Sequence, residues 1–538
     1  MTGISLVHHF LEKSAGHFPE KTAAIYEKKQ IGYAQLNSYA NKLAHLLLDA
    51  GVRPGDRIVI LSENSIEYIF CYYGIQKAGA IAVPLNAELK PNGLADLLSI
   101  LEPRLLIVSS LLEKTVRSLD PALLEAIRIL VIESSEMDQC PTKLRATLYE
   151  QLRDRSDKNP DLNIDPGSCA GIIFTSGSEG KPKGVMLSHN NIVANTRSIV
   201  EYLGLTAQDI QMVVLPFHYV MGKSLLNTHI SVGGEVVINN KFAYTASVLK
   251  QMAEEGVTGF SGVPSTYAHL LFKSPLIHYR EKLPALRYCS QAGGHMPRQI
   301  KLELLKALPD HTKLIIMYGA TEAAARLTYL PPESLRSKID SIGKAIPGVT
   351  LNILSPEGMP FGPGEVGELV ARGDNIMLGY YRDKEGTNKV LDPHGYHTGD
   401  LGYIDEDGFL FVTGRKDDQV KVGGHRINPR EVEDVIVASG CAMECTVFSI
   451  ADVYLGSKLV GMVVPIPKLT GIAERIQEYC HQRLPKYKIP DPLLIVDSIP
   501  KTGSGKPDRA KSLELLKNAF DKSAKPKNIS KEACHDDP

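Results

Sequence analysis

Five short stretches of the chain combine residue types suited to phosphates, sugar hydroxyls and a metal ion. The first is Thr175-Ser176-Gly177-Ser178-Glu179-Gly180-Lys181-Pro182-Lys183-Gly184, directly after the apolar run 170–174. Its glycines let backbone N–H groups approach phosphate oxygens, its hydroxyls donate, and its lysines supply charge. The second is Tyr318-Gly319-Ala320-Thr321-Glu322, after the strand-like KLIIM. Thr321 offers a hydroxyl to a phosphate, and Glu322 a carboxylate to Mg²⁺, which takes oxygen ligands. In the third, Tyr396-His397-Thr398-Gly399-Asp400, an aspartate beyond a tight turn can accept hydrogen bonds from sugar hydroxyls. The fourth joins Gly414-Arg415-Lys416-Asp417-Asp418-Gln419-Val420-Lys421 to Gly423-Gly424-His425-Arg426, and the fifth, Pro500-Lys501-Thr502-Gly503-Ser504-Gly505-Lys506, is a glycine-rich loop ending in a lysine. Each alone has a plain structural reading: an exposed turn, a helix start capped by Thr321, a hairpin, a solvated linker or a surface loop.

Other patterns carry less. Gly362-Pro363-Gly364-Glu365-Val366-Gly367 fits GxGxxG, but it lies between hairpin-like strands and contains proline, so it is not a dinucleotide fingerprint. Gly505-Lys506 is not the end of a Walker loop, because Pro500 and Pro507 stand where its first glycine and its hydroxyl residue belong. The eight cysteines form no CxxC pair, and Cys441 and Cys445 have no histidine cluster beside them. Reduced thiols in a cytoplasmic protein are expected rather than a metal centre.

These stretches must be positioned by a sizeable fold. The chain has 538 residues, 43% of them hydrophobic and 22% charged, the balance of a packed globular protein. Sixty Lys and Arg against 61 Asp and Glu leave no basic excess, which argues against a general nucleic-acid binder. The first residues lack a basic stretch followed by an apolar core, so no secretory signal is expected there, and no run of 18 apolar residues predicts a membrane span. Over 33–50 the spacing of Leu36, Tyr39, Ala40, Leu43 and Leu47 predicts one helical face. Alternation of such helices with apolar runs, as in RIVIL and AIAVPLN, predicts α/β layers around parallel strands. After Gly348 short alternating runs split by Gly, Pro and Asp-Gly predict hairpins. Beyond Gly414 a small α+β unit of roughly 100 residues is expected, with a helix opened by Asn428 and Pro429. A disordered polar tail is expected from 521.

The five stretches in this order resemble one family, over roughly 6–516. The chain is similar to the acyl-adenylate-forming enzymes: acyl-CoA synthetases, adenylation domains and luciferases. The resemblance implies an α/β fold, with a large N-terminal domain of layered sheets over 1–414, a hinge at 415–418 centred on Asp417, and a small mobile α+β domain over 419–520. It implies that a carboxylate attacks the α-phosphate of MgATP, giving acyl-AMP and pyrophosphate, and that a thiol then takes the acyl group. Thr175, Ser176, Gly177, Ser178, Gly180 and Lys183 would hold phosphates. Gly293, Gly294, Tyr318, Gly319 and Ala320 would line the adenine site, Thr321 would meet the α-phosphate, and Glu322 would bind Mg²⁺. Asp400 would accept the ribose hydroxyls, with Arg415 beside it. Lys506 would bridge the two reacting anions, and Lys421, Gly423, Gly424 and Arg426 would face the thiol. Phe217, His218, Met221 and Gly222 match the segment bordering the acid. No acidic residue stands there to pair an α-amine, so a fatty or other uncharged acyl acid is expected. Coenzyme A is the expected acceptor. A carrier-protein pantetheine is the alternative, and a non-catalytic nucleotide binder a second one, though that reading expects loss of Lys506, Glu322 or Asp400, all present. Glu179 and His295 depart from the family's usual residues.

Overall fold

The computed structural model describes residues 3–125, 127–132, 146–175, 182–416, 420–422, 425–452, 456–502 and 507–523. The chain divides into two compact units, Met1–Asp417 and Asp418–Pro538.

The first unit contains three sheets. In the nine-stranded one, Thr22–Tyr26, Glu235–Ile238, Ile210–Val213, Gly259–Gly262, Tyr288–Gln291 and Lys313–Tyr318 are successive parallel neighbours. Antiparallel strands close its edges, Lys29–Gly32 at one and Thr328–Leu330 with Lys344–Ala345 at the other. The eight-stranded sheet has a parallel body, Ile81–Leu85, Arg57–Leu61, Leu105–Ser109 and Arg128–Ile132. The antiparallel pair Cys169–Thr175 and Lys183–Ser188 and the short strand Gly379–Tyr380 extend it. Strands that read as continuous apolar runs need cover on both faces, and the alternating helices supply it. The third sheet holds the antiparallel strands Val349–Leu354, Gly367–Gly373, Gly395–Ile404 and Leu410–Arg415, so the hairpins expected after Gly348 form. The GxGxxG match leads into strand Gly367–Gly373 and opens no helix.

The main core gathers around two helices, Tyr33–Asp49 and Ile66–Lys77. The first buries Leu36, Ala40, Leu43 and Leu47, and Tyr39 stacks half-buried on Phe70. In the second every residue but Glu67 is buried, as expected of a helix apolar on all sides. Ser65 caps it by accepting from the Tyr68 N–H. Gly74 lets the two helices meet, since a Cβ there would lie 2.7 Å from the Ala40 carbonyl oxygen.

In the second unit Val420–Val422 pairs with His425–Ile427, and Ala442–Asp452 and Leu493–Ile495 flank Gly456–Pro465. Asn428 caps helix Pro429–Ala438 through the Arg430 N–H. The last helix, Arg509–Ser523, runs past the expected boundary at 520, and residues 524–538 lie outside the described ones. No helix among the described residues is long and apolar enough to cross a membrane.

The described cysteines are free thiols. Burial pushes Cys169 and Cys289 up to about 12 and Cys480 up to about 11, and Cys71 and Cys445 well above the usual thiol range.

Phe70 is fully buried against Tyr39 and Tyr149. Phe70→Ala should cost about 3–5 kcal/mol through the cavity it leaves, read as an earlier first transition in denaturant unfolding; an unchanged midpoint would contradict this packing.

Candidate active site

The parallel strands of the nine-stranded sheet end side by side, and the loops leaving their carboxyl ends form one rim, the usual ligand edge of such sheets. After Tyr288–Gln291 come Gly293, with φ +86°, and Gly294, whose carbonyl accepts from Gln291 Nε2 at 2.8 Å. After the neighbouring Lys313–Tyr318 the chain doubles back through 319–327. The Leu327 N–H donates to the Tyr318 carbonyl at 2.9 Å, and Tyr318 pairs with Thr328 across the strands. The reversal is tight enough to require glycine: a Cβ on Gly319 would stand 2.0 Å from the Ala325 carbonyl oxygen. Ala324 and Ala325 take φ of +52° and +126°, a strained backbone for alanine.

This loop reaches both other sheets. Tyr318 Oη donates a short hydrogen bond to Asp400 Oδ2 on strand Gly395–Ile404. Burial and the Asp400 carboxylate raise the phenol far above its ordinary range, so it stays a donor. Asp400 Oδ1 accepts from Arg415 Nε at 3.0 Å, and the two residues face each other across paired strands. Glu322 Oε1 accepts from Tyr380 Oη at 2.8 Å, and its carbonyl accepts from the Met377 N–H. Lys183 Nζ lies 4.9 Å over the Tyr380 ring. Thr175 pairs in register with Lys183, closing the hairpin whose connection is the phosphate-like stretch. Thr321 sits inside a short turn, Thr321–Ala323, and is not its cap; its hydroxyl has no partner among the described residues. Glu322 Oε2 is likewise left without a hydrogen bond.

One polypeptide reversal therefore gathers a hydroxyl, a carboxylate with a spare oxygen and a half-buried phenol against a second carboxylate, an arginine and a lysine. Tyr380 was not singled out from the sequence, because its strand, Gly379–Tyr380, is too short to show a period. Ser176, Gly177, Ser178, Glu179, Gly180 and Lys181 lie outside the described residues. So do Asp417, Gly423, Gly424, Lys506 and the side chain of Arg426. Lys421 is exposed on its strand in the second unit.

The segment before helix Val220–Val232 runs from the carboxyl end of Ile210–Val213. Phe217 is buried, donates its N–H to Asn64 Oδ1 at 2.7 Å and packs on Tyr68. Gly222 has no room for a Cβ, which would lie 2.2 Å from the Pro216 carbonyl oxygen. Met221 is buried beside them. His218 is buried with Nε2 unpartnered, and burial, then the nearby Lys223 charge, lowers it to about 3. A cavity lies beside this helix, lined by Val220, Lys223, Ser224 and Asn227 from it and by Ala324 from the active loop. Phe217, His218, Met221 and Gly222 do not line that cavity. Arg326 is buried, with Nη1 donating to the Ala325 carbonyl and Nε to Met317 Sδ.

The model of the AMP-binding enzyme family matches residues 11–381, and that of the AMP-binding enzyme C-terminal domain matches 431–506. A feruloyl-CoA synthase of Amycolatopsis sp is 31% identical over 91% of this chain and 94% of its own. A long-chain-fatty-acid–CoA ligase of Bacillus subtilis is 29% identical over 94% and 93%. Among solved structures, the anthranilate CoA ligase AuaEII with anthranoyl-AMP superimposes with a TM-score of 0.86 at 25% identity, covering 96% of this chain and 98% of its own. ATP-bound MatB from Rhodopseudomonas palustris gives 0.85 at 26%, over 96% and 99%. With its layered α/β unit and smaller C-terminal unit, the chain belongs to the AMP-binding enzymes, within the acyl-adenylate-forming superfamily. It is an acid–thiol ligase of the AMP-forming class.

Tyr380→Phe removes the donor to Glu322 while keeping the ring under Lys183. Acid-dependent ATP–pyrophosphate exchange should fall roughly tenfold with unchanged thermal stability; exchange at the original rate would remove Tyr380 from the site.

Proposed function

We propose that the chain uses ATP to activate a carboxylic acid as acyl-AMP and passes the acyl group to the thiol of coenzyme A. The observation that carries this reading is the reversal 318–327, which sets Tyr318, Thr321 and Glu322 against Asp400 with Arg415 and against Tyr380 with Lys183. In this reading Thr175, Ser176, Gly177, Ser178, Gly180 and Lys183 hold the β- and γ-phosphates. Gly293, Gly294, Tyr318, Gly319 and Ala320 line the adenine, Thr321 meets the α-phosphate, and Asp400 with Arg415 takes the ribose. The spare Glu322 oxygen and the unpartnered Thr321 hydroxyl are hard oxygen donors that fit Mg²⁺. When bound, Mg²⁺ supplies charge neutralisation for the departing pyrophosphate.

Two anions, carboxylate and phosphate, must approach each other, so a fixed cation is needed between them. We assign that charge to Lys506, carried by 419–520 beyond a hinge at 415–418. After adenylation the small domain turns, Lys506 leaves, and Lys421, Gly423, Gly424 and Arg426 face the thiol. The acid lacks an α-ammonium group, since 216–222 holds no carboxylate to pair one. A fatty or other uncharged acyl acid accounts for the apolar side of the cavity, Ile173, Leu187 and Ile192, but not for Lys223. The free thiols support a cytoplasmic setting.

Exchange of labelled pyrophosphate into ATP, measured over a panel of acids, tests the first step; silence with ATP binding intact would leave a non-catalytic binder. Lys506→Ala should lower this exchange roughly 10²–10³-fold and leave thioester formation from supplied acyl-AMP largely intact; equal loss of both steps would sink the two-conformation assignment. Asp417→Pro should show the reverse pattern, adenylating normally and failing in thiolation, and full turnover in that variant would argue against the hinge.

A further inference from the structure

Helix Val220–Val232 is buried on nearly every side, yet it carries Lys223, Ser224, Asn227, Thr228, His229 and Ser231. Most of these polar groups are satisfied inside the fold. Asn227 donates to Tyr72 Oη and accepts from Tyr73 Oη, and Thr228 donates to the Ser224 carbonyl. Lys223 is different. It is 4% exposed, its Nζ donates to Tyr68 Oη at 2.6 Å, and it lies 4.3 and 3.8 Å from the centres of the Tyr68 and Tyr72 rings. Among the described residues no carboxylate forms an ion pair with it, and burial alone drives its pKa well below the usual lysine range. The other deeply buried lysines among the described residues are matched: Lys77 is paired with Glu12, and Lys301 donates to the Ile339 carbonyl at 2.6 Å.

A charge on Lys223, with only a phenol and two ring faces around it, is poorly compensated without a further partner, because ring faces offset little of the lost hydration. Its position gives the missing partner a place. Lys223 lines the same cavity as Ala324, two residues beyond Glu322, together with Ile173, Ile192 and Tyr72. The cavity is small, with room for about one water-sized group. His218, on the approach to the same helix and close enough to feel the Lys223 charge, holds a second buried nitrogen, Nε2, without a partner.

Resting on the acid-activating reading above, we propose that Lys223 determines specificity by receiving a second, acceptor oxygen at the far end of the acid substrate, foremost a carboxylate. The cavity takes only that terminal oxygen, and the reacting carboxylate stays at the Thr321–Glu322 end. An acid ending in a methyl group leaves Lys223 buried and unanswered, which selects against it. Sites built around a buried polar partner discriminate strongly against analogues that lack the matching group.

The test is acid-dependent ATP–pyrophosphate exchange by the full chain with matched acids: adipate against hexanoate, and 4-carboxycinnamate and 4-hydroxycinnamate against 4-methylcinnamate. In at least one series the oxygen-ended acid should exceed its methyl-ended partner in kcat/KM by roughly tenfold or more, and the two cinnamates separate a carboxylate from a phenol as the preferred group. In Lys223→Met, of similar length and without charge, that ratio should fall below about threefold. Preference of the wild-type protein for the methyl-ended acid in both series overturns the inference while leaving acid activation standing, and needs no variant. Retention of the wild-type ratio by Lys223→Met also overturns it. Silence with every acid overturns the activation reading and this inference with it.

Discussion

The first unit depends on one backbone reversal. Between Tyr318 and Thr328 the chain turns so closely that Gly319 has no space for a methyl group and two alanines adopt positive φ. Neighbours from several elements hold the loop in this form. Asn375 donates to the Ala323 and Arg326 carbonyls, Asn195 also donates to Arg326, and Ile346 donates to Leu327. Backbone strain of this kind persists only where the surroundings over-determine it. The result is that three sheets meet through a few side chains of one loop, and a shift in any sheet moves the reacting groups.

The same arrangement explains why the polar groups are so closely interlocked. Tyr318 ties the nine-stranded sheet to Asp400, and Glu322 ties it to Tyr380 in the eight-stranded sheet. Asp400 is held in turn by Arg415 and by Thr398, whose hydroxyl accepts from the Asp400 N–H. Such second contacts fix side chains before a ligand arrives, so less ordering is left for the moment of reaction.

Much of this was legible in the sequence because local chemistry carried it. The apolar runs and the 3.6-residue period of 33–50 specify the layered α/β architecture, and Gly-rich reversals mark the hairpins after Gly348. Tyr318, Glu322, Asp400 and Arg415 stand out because their residue types sit beside tight turns. Tyr380 and Lys223 do not, for different reasons. Tyr380 belongs to a two-residue strand whose importance comes from what it pairs with. Lys223 lies in a helix of mixed character, and its lack of a carboxylate partner is a fact of packing that no spacing reveals. The expectation of an uncharged acid weighed only the missing aspartate, because the burial of Lys223 exists only in three dimensions.

The raised pKa of several thiols has a consequence for a protein that handles acyl-AMP. An acyl adenylate is an electrophile, and any thiolate nearby competes with the intended acceptor. Burial pushes the Cys169 and Cys289 thiols up to about 12, so little of either is ionised at pH 7. These shifted thiols thus stay protonated, so that self-acylation through them is suppressed while the acceptor thiol, free in solvent, keeps its reactivity.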